Sequence, residues 1–225
     1  LSDPSGKLAM GNYELVPELD ILDSSLTPTD RKIIVPTGID AFVHSFEAIA
    51  SNTATVLTDA LAEKAIETIF LNLKGAIEND EHAKDMMHIS ATMAGMAFSN
   101  SGTASAHALG HSFGATFHVT HGTSVGLFLI SSIKFNSQNT EAKDKYIRIS
   151  KILGGSDLDS LITIIENFFR SVGQPYRVRD IGIDEQTYKS KIDQLTSLAL
   201  RDSELAFNPV LAGEEDIKKI FVETY

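Results

Sequence analysis

After Asp30, the apolar residues change from strand-like alternation to the period of an α-helix, and they keep that period to the end of the 225-residue chain. Before this point, glycine, asparagine and proline interrupt the apolar residues between Lys7 and Asp23, which predicts one or two short strands. The sequence therefore predicts a mostly α fold with a short β segment at the N-terminus. Residues 1–30 form an extended segment in this prediction, and residues 31–225 form one all-helical domain.

The helical pattern divides into nine predicted helices. Thr37 can cap the first helix, Asp157 can cap the seventh, and Gly173 can end the seventh. The third helix is apolar on nearly every side and rich in small residues, which predicts a place at the centre of the bundle. The predicted ranges are 38–51, 55–78, 81–99, 102–114, 121–134, 140–153, 157–172, 184–201 and 213–224.

Composition limits the partners and the site chemistry. The chain has no cysteine, so a metal site would be built from histidine, aspartate or glutamate. The formal net charge of -11 disfavours nucleic acid and anionic membrane as partners, because both favour a basic surface. A small molecule is therefore the expected partner. No signal peptide is recognisable, which predicts a cytoplasmic protein. The turn-like opening at Leu1 leads us to expect a piece of a longer protein.

Histidines cluster in one short part of the sequence, where four of the seven fall between His107 and His121. His107 and His111 are four residues apart, so a helix places both rings on one face. The glycine and β-branched residues that follow predict that this helix ends and that His121 begins the next one. Upstream, Asp40 and His44 have the same four-residue spacing and share a helical face.

A cation would explain why Asp40 lies on a helical face bordered by apolar residues, where an unpaired carboxylate is costly. Imidazoles together with a carboxylate suit Fe(II), Zn(II), Ni(II) or Co(II) better than Mg(II) or Ca(II). Taken singly, His44 fits a hydrogen-bonded core residue and Asp40 fits a helix cap. Only the combined pattern predicts a metal site. His82 and His88 are expected to lie on the surface or pack in the core, and His118 is ambiguous.

These motifs resemble those of the iron-containing (group III) alcohol dehydrogenase family, over nearly the whole chain. The segment from Gly38 to Glu47 is similar to the pattern Gly-x-Asp-Ala-x-x-His-x-x-Glu, and the spacing of His107, His111 and His121 is similar to a second signature. The residues directly before His111 and His121 depart from the family pattern, which affects substrate preference more than metal binding. The resemblance implies the helical bundle domain of the dehydroquinate synthase-like fold.

The resemblance also implies roles for particular residues. Asp40, His44, His107 and His121 would bind Fe(II), with Zn(II) as the alternative. His111 would lie beside the nicotinamide of NAD or NADP, where it could transfer a proton. The cofactor would be held by an N-terminal nucleotide-binding domain of the same polypeptide, which residues 1–30 would complete. No Gly-x-Gly-x-x-Gly run occurs in the 225 residues to cradle a pyrophosphate.

The implied activity is that of a metal-dependent alcohol dehydrogenase or aldehyde reductase acting on a small alcohol or aldehyde. The metal would polarise the substrate oxygen, and NAD(P)H would deliver the hydride. Two alternatives stay open: a zinc polyol dehydrogenase of the glycerol dehydrogenase type, which would use fewer histidines, and a metal-binding helical module with no redox role. Metallohydrolase and di-iron sites are disfavoured, since neither His-Glu-x-x-His nor Glu-x-x-His occurs. The sequence also leaves open whether the protein forms a homo-oligomer.

Overall fold

Helices dominate the protein, as the sequence predicts. The computed structural model describes residues 2–3, 6–7 and 17–225. The ten α-helices of this described part are Arg31–Ala50 (α1), Val56–Ile77 (α2), Glu81–Ser101 (α3), Ser105–Phe117 (α4), His121–Asn136 (α5), Thr140–Ile152 (α6), Leu158–Val172 (α7), Glu185–Lys189 (α8), Ile192–Ala199 (α9) and Glu214–Glu223 (α10). A short 3-10 segment at Ser24–Leu26 precedes α1, and two others, Val178–Ile181 and Ser203–Phe207, lie in the connections α7–α8 and α9–α10.

Helix α1 begins before Pro36 rather than after it, so the predicted start at residue 38 is wrong. Asp30 caps the helix through its side chain. Thr37 is not a cap, because its hydroxyl lies inside the helix and donates to the Ile33 carbonyl at 2.8 Å. A proline removes one backbone hydrogen bond from a helix, but the burial of its neighbours holds the remaining turns in place.

Helix α1, and not α3, lies at the centre of the bundle. Nearly every residue of α1 after Thr37 is buried, and the helix packs against α2, α3 and α5. By length and composition α1 could cross a membrane, but most of it is buried inside the domain, as in the core helix of a bundle. Helix α3 buries small residues such as Ala94 and Ala97 and exposes Ile89 and Met96. The central place predicted for α3 is therefore wrong.

Helices α4 and α5 form the hairpin that the histidine spacing predicts. His118 ends α4 in the left-handed conformation, with a φ of 56°, and α5 begins at His121. Gly122 touches α1 so closely that a Cβ atom there would lie 1.8 Å from the Pro36 carbonyl oxygen. Gly110 likewise allows α4 to approach Val125 of α5. These two glycines let α5 pack tightly against both neighbouring helices.

In the C-terminal third of the chain, both predicted ends of α7 are confirmed and one predicted helix is wrong. Asp157 caps α7 by accepting from the Ser160 backbone at 2.8 Å, and Gly173 ends the helix with a φ of 76°, as predicted. The predicted helix 184–201 is instead two helices, α8 and α9. The break between them accompanies full burial of Tyr188, whose hydroxyl donates to the Phe221 carbonyl of α10 at 2.9 Å.

The predicted N-terminal β segment is not supported as part of this fold. Its residues 8–16 lie outside the described residues, and residues 17–23 contain no strand. Two antiparallel strands of two residues each, Ser2–Asp3 (β1) and Gly6–Lys7 (β2), precede them.

Candidate metal centre

Four predicted ligands from three helices converge at the end of the bundle where α4 and α5 meet α1. Asp40 and His44 lie one turn apart on α1, His107 is on α4, and His121 is the first residue of α5. Each offers one ligand atom, and these four atoms lie within 4.8 Å of one another. The i, i+4 spacing brings the first two together, and the close approach at Gly122 brings His121 to them.

The Nε2 atoms of the three histidines all face the same carboxylate oxygen. The distance from Asp40 Oδ1 to Nε2 is 3.2 Å for His121, 3.6 Å for His107 and 4.0 Å for His44. The His44 ring is stacked between Phe98, at a centroid distance of 4.1 Å, and His107, at 4.4 Å. This stacking fixes the plane of the His44 ring.

Glu47 holds His107 from the other side of the ring. Its buried carboxylate accepts from Nδ1 of His107 at 2.6 Å and from the backbone N–H groups of Ala106 and His107. Glu47 is the last residue of the motif that begins at Gly38, but the motif predicts no role for it. Its place on the face of α1 three residues after His44 is the signal that could have linked it to the site.

Burial and mutual attraction set the charges of the cluster. Burial raises the pKa of Asp40, but the nearby rings of His107 and His121 outweigh it and hold this pKa well below its usual range. Burial and repulsion from His107 lower the pKa of His44 to about 3. Burial also opposes protonation of His107, but the carboxylates of Asp40 and Glu47 prevail and raise its pKa to about 10. Without a metal ion, these two carboxylates therefore favour the positively charged His107 ring, with a proton on each nitrogen, at neutral pH.

The residues fit a divalent metal ion of the nitrogen-preferring class. In the described part of the chain, Asp40 Oδ1 and His107 Nε2 are buried and have no hydrogen-bond partner. Buried polar atoms are almost always satisfied, and a shared cation would satisfy both. Three imidazoles and one carboxylate suit Fe(II) or Zn(II).

His111 does not belong to the converging set. Its Nδ1 is paired with Asp202 at 2.8 Å, and its ring stacks on His121 at a centroid distance of 5.1 Å. Burial raises the pKa of Asp202, but the hydrogen bond from His111 outweighs it and lowers this pKa below its usual value. Asp202 is a residue that the sequence prediction missed. It is 91 positions from His111, and no local pattern links the two.

Asp202 caps the 3-10 segment Ser203–Phe207. Hydrogen bonds join this segment and the residue after it to the start of α4. Glu204 accepts from the Thr103 hydroxyl at 2.6 Å. Asn208 accepts from the Ser105 backbone at 3.2 Å and forms a buried amide pair with Asn136. The position of Asp202 beside His111 is thus fixed by contacts with α4 and α5.

The remaining histidines lie away from the cluster. His82 is exposed, and His88 pairs with the Thr27 hydroxyl at 2.5 Å. His118 provides the backbone conformation that ends α4. These positions agree with the surface and packing roles expected for the first two.

Comparison with known proteins gives the family. Residues 34–225 match the C-terminal part of the Fe-containing alcohol dehydrogenase family. The chain belongs to this family. It is 33% identical over 226 residues to the NADPH-dependent butanol dehydrogenase of Clostridium saccharobutylicum, covering 97% of this chain and 58% of that protein. It is also 33% identical over 236 residues to a 1-propanol dehydrogenase of Salmonella typhimurium, covering 99% and 64%.

The helical fold is that of solved iron-containing alcohol dehydrogenases. The structure of such an enzyme from Thermococcus thioreducens matches with a TM-score of 0.89 and 31% identity, covering 95% of this chain and 56% of that one. The family resemblance inferred from the two sequence motifs is therefore confirmed. The chain spans less than two thirds of the length of each of these three relatives.

Proposed function

We propose that this chain forms the metal-binding half of an alcohol dehydrogenase that interconverts a small alcohol and its aldehyde. The observation that carries the proposal is the convergence of Asp40, His44, His107 and His121 within 4.8 Å. The buried atoms without partners on Asp40 and His107 support it, since a cation would satisfy both. Relatives named as butanol and 1-propanol dehydrogenases support a short aliphatic substrate.

The four converging side chains would hold Fe(II), with Zn(II) as the alternative. When bound, the metal supplies a Lewis acid that polarises the substrate oxygen. The carboxylate of Asp40 would offset part of the cation's charge. The side chain of Asp40 is 23% exposed and that of His107 is 3% exposed, so water has little access to this part of the site. We expect this enclosure to strengthen the electrostatic interactions inside the site.

His111 would transfer the proton. Its Nδ1–H donates to Asp202, which leaves Nε2 as the atom that takes a proton during alcohol oxidation or returns it during aldehyde reduction. Its position beside His121 but outside the four-ligand set supports this role. The ring of His111 would also lie beside the nicotinamide of the bound cofactor.

NAD or NADP would deliver or accept the hydride from an N-terminal domain of the same polypeptide. The greater length of the relatives supports such a domain, and one relative is named as NADPH-dependent. Residues 1–30 would complete that domain and residues 31–225 would form the metal domain of a cytoplasmic enzyme. The glycerol dehydrogenase alternative is less favoured, because His44 lies within the cluster as a third imidazole. The non-redox alternative is less favoured because the relatives are dehydrogenases.

A metal analysis tests the proposal. The chain is stripped with a chelator, loaded with Fe(II) without oxygen or with Zn(II), and analysed for bound metal. We expect one ion per chain, and we expect its loss in Asp40→Ala and His107→Ala. His82→Ala is the matched control, because His82 is exposed and outside the cluster. A parent chain that binds neither metal, or ligand variants that keep full occupancy, would contradict the proposal.

A further inference from the structure

Glu47 is a buried carboxylate that the proposed chemistry does not use. Its side chain is only 4% exposed, although charged groups are rarely buried without a partner. Its oxygens accept from the Ala106 N–H, the His107 N–H and the His107 ring. All of these donors belong to the first turn of α4, whereas Glu47 belongs to α1.

Part of this contact is a helix cap supplied by another helix. Helix α4 has Ala104 at its N-cap position and no side-chain cap of its own. The first N–H groups of a helix need acceptors, and a negative charge is favoured at this end. Glu47 therefore fixes the start of α4, and with it the backbone of His107.

The other part of the contact determines which ring nitrogen of His107 is free. An ionised carboxylate can only accept, so the hydrogen lies on Nδ1, which is 2.6 Å from Glu47. Nε2 then carries no proton in the neutral ring, and this is the atom that faces Asp40 at 3.6 Å. The other two histidines have no carboxylate within hydrogen-bond distance of Nδ1 in the described part of the chain.

We propose that Glu47 is a positioning residue that fixes His107 in the tautomer whose Nε2 binds the metal. The inference rests on the proposed metal centre and extends it to a residue outside the four ligands. In many metal sites, a carboxylate that accepts from the second nitrogen of a ligating histidine fixes the orientation of the ring and raises its affinity for the metal.

The substitution Glu47→Gln tests this role, because it keeps the shape of the side chain and changes only its charge and hydrogen-bonding groups. A glutamine side chain has one acceptor and one donor group. If its oxygen continues to cap α4, its amide group faces Nδ1 of His107 and favours the tautomer with the proton on Nε2. That proton would occupy the position needed for the metal bond.

The experiment is a titration of the metal-free chain with Co(II), followed by visible absorption and by competition with Zn(II). We expect Glu47→Gln to weaken binding by about 10- to 100-fold, the range typical for loss of such a partner. Asp80→Asn is the matched control, because Asp80 caps α3 through the Ala83 N–H and contacts no candidate ligand. This control should bind Co(II) as the parent does.

A second measurement needs no variant. In the Zn(II)-loaded parent, nitrogen-15 spectra of the imidazole rings should show a proton on Nδ1 of His107 and none on Nε2. A metal bond through Nδ1, or unchanged Co(II) affinity in folded Glu47→Gln, would overturn the role of Glu47. A parent chain that binds neither Co(II) nor Zn(II) would overturn the metal centre itself. If Glu47→Gln does not fold, the spectrum of the parent decides the question.

Discussion

Within the candidate centre, His107 is the candidate ligand whose ring faces a carboxylate from each side. It lies between the carboxylates of Asp40 and Glu47, stacks on His44 and lies close to the His121 ring. In the metal-free protein the two carboxylates favour an imidazolium, whereas a metal ion needs the neutral ring. Proton and metal therefore compete for the same nitrogen, and this competition has a measurable pH dependence.

The metal-free chain should lose part of its stability as the pH rises through the range from 6.5 to about 10. The two carboxylates raise the pKa of His107 from 6.5 to about 10, so in this range the folded state keeps a proton that the unfolded state has released. The free energy of unfolding then falls with increasing pH. Urea unfolding in the presence of a chelator, at several pH values, measures this slope. His107→Gln should flatten it, and an equal slope in the variant would contradict the assignment.

Substitutions in the pair formed by His111 and Asp202 should lower turnover without removing the metal, unlike substitutions of the candidate ligands. In the full-length enzyme, His111→Ala should keep its metal and lose about 10²- to 10⁴-fold in turnover, as is typical for a lost acid–base group. Asp202→Asn should show a smaller loss, because Nδ1 loses its charged acceptor while the ring remains. Metal content and the pH–rate profile are measured on both variants. Metal loss in His111→Ala as severe as in His107→Ala would make His111 a ligand instead.

At the scale of helices, the packing of α5 on α1 depends on the missing side chain of Gly122. Gly122→Ala places a methyl group where the Pro36 carbonyl oxygen lies 1.8 Å away, so the two helices have to separate. Overpacking of this kind typically costs about 1–3 kcal/mol. We expect lower stability and weaker Co(II) binding, because His121 is the preceding residue. Thermal unfolding and Co(II) titration measure the two effects.

Gly95→Ala is the control for this variant. Gly95 lies inside α3 with no atom within 4 Å of its would-be Cβ, and alanine is the better helix former. This variant should be neutral or more stable by up to about 1 kcal/mol. Equal effects of the two substitutions would show that the contact with Pro36 is unimportant.

The sequence predicts those helices and site residues that depend on local spacing. The pairs Asp40 with His44 and His107 with His111 follow from helical geometry alone, and His121 follows from the break after α4. The start of α1 is mispredicted because burial outweighs the local preference of Pro36. Asp202 is missed because its place beside His111 depends on contacts with α4 and α5 that only the folded chain creates.

For the molecule as a whole, we predict that this chain alone has no dehydrogenase turnover. No Gly-x-Gly-x-x-Gly run occurs among its 225 residues to hold the pyrophosphate of a dinucleotide. Reduction of butanal is assayed with NADH and with NADPH on the metal-loaded chain, beside a full-length relative as the positive control. Turnover comparable to that of the relative would show that the cofactor site lies within these residues.

The candidate ligands belong to three helices, and Asp40 is 81 residues before His121. A bound ion would act as a cross-link between segments that are distant in the sequence. Once the concentration of free metal exceeds the dissociation constant, the free energy of unfolding would rise with the logarithm of that concentration. Because the ion would join His121 of α5 to two residues of α1, it would oppose separation of the two helices. We therefore expect bound metal to slow hydrogen exchange at the Ser124 amide in the first turn of α5, which donates to the Thr120 carbonyl at 2.9 Å.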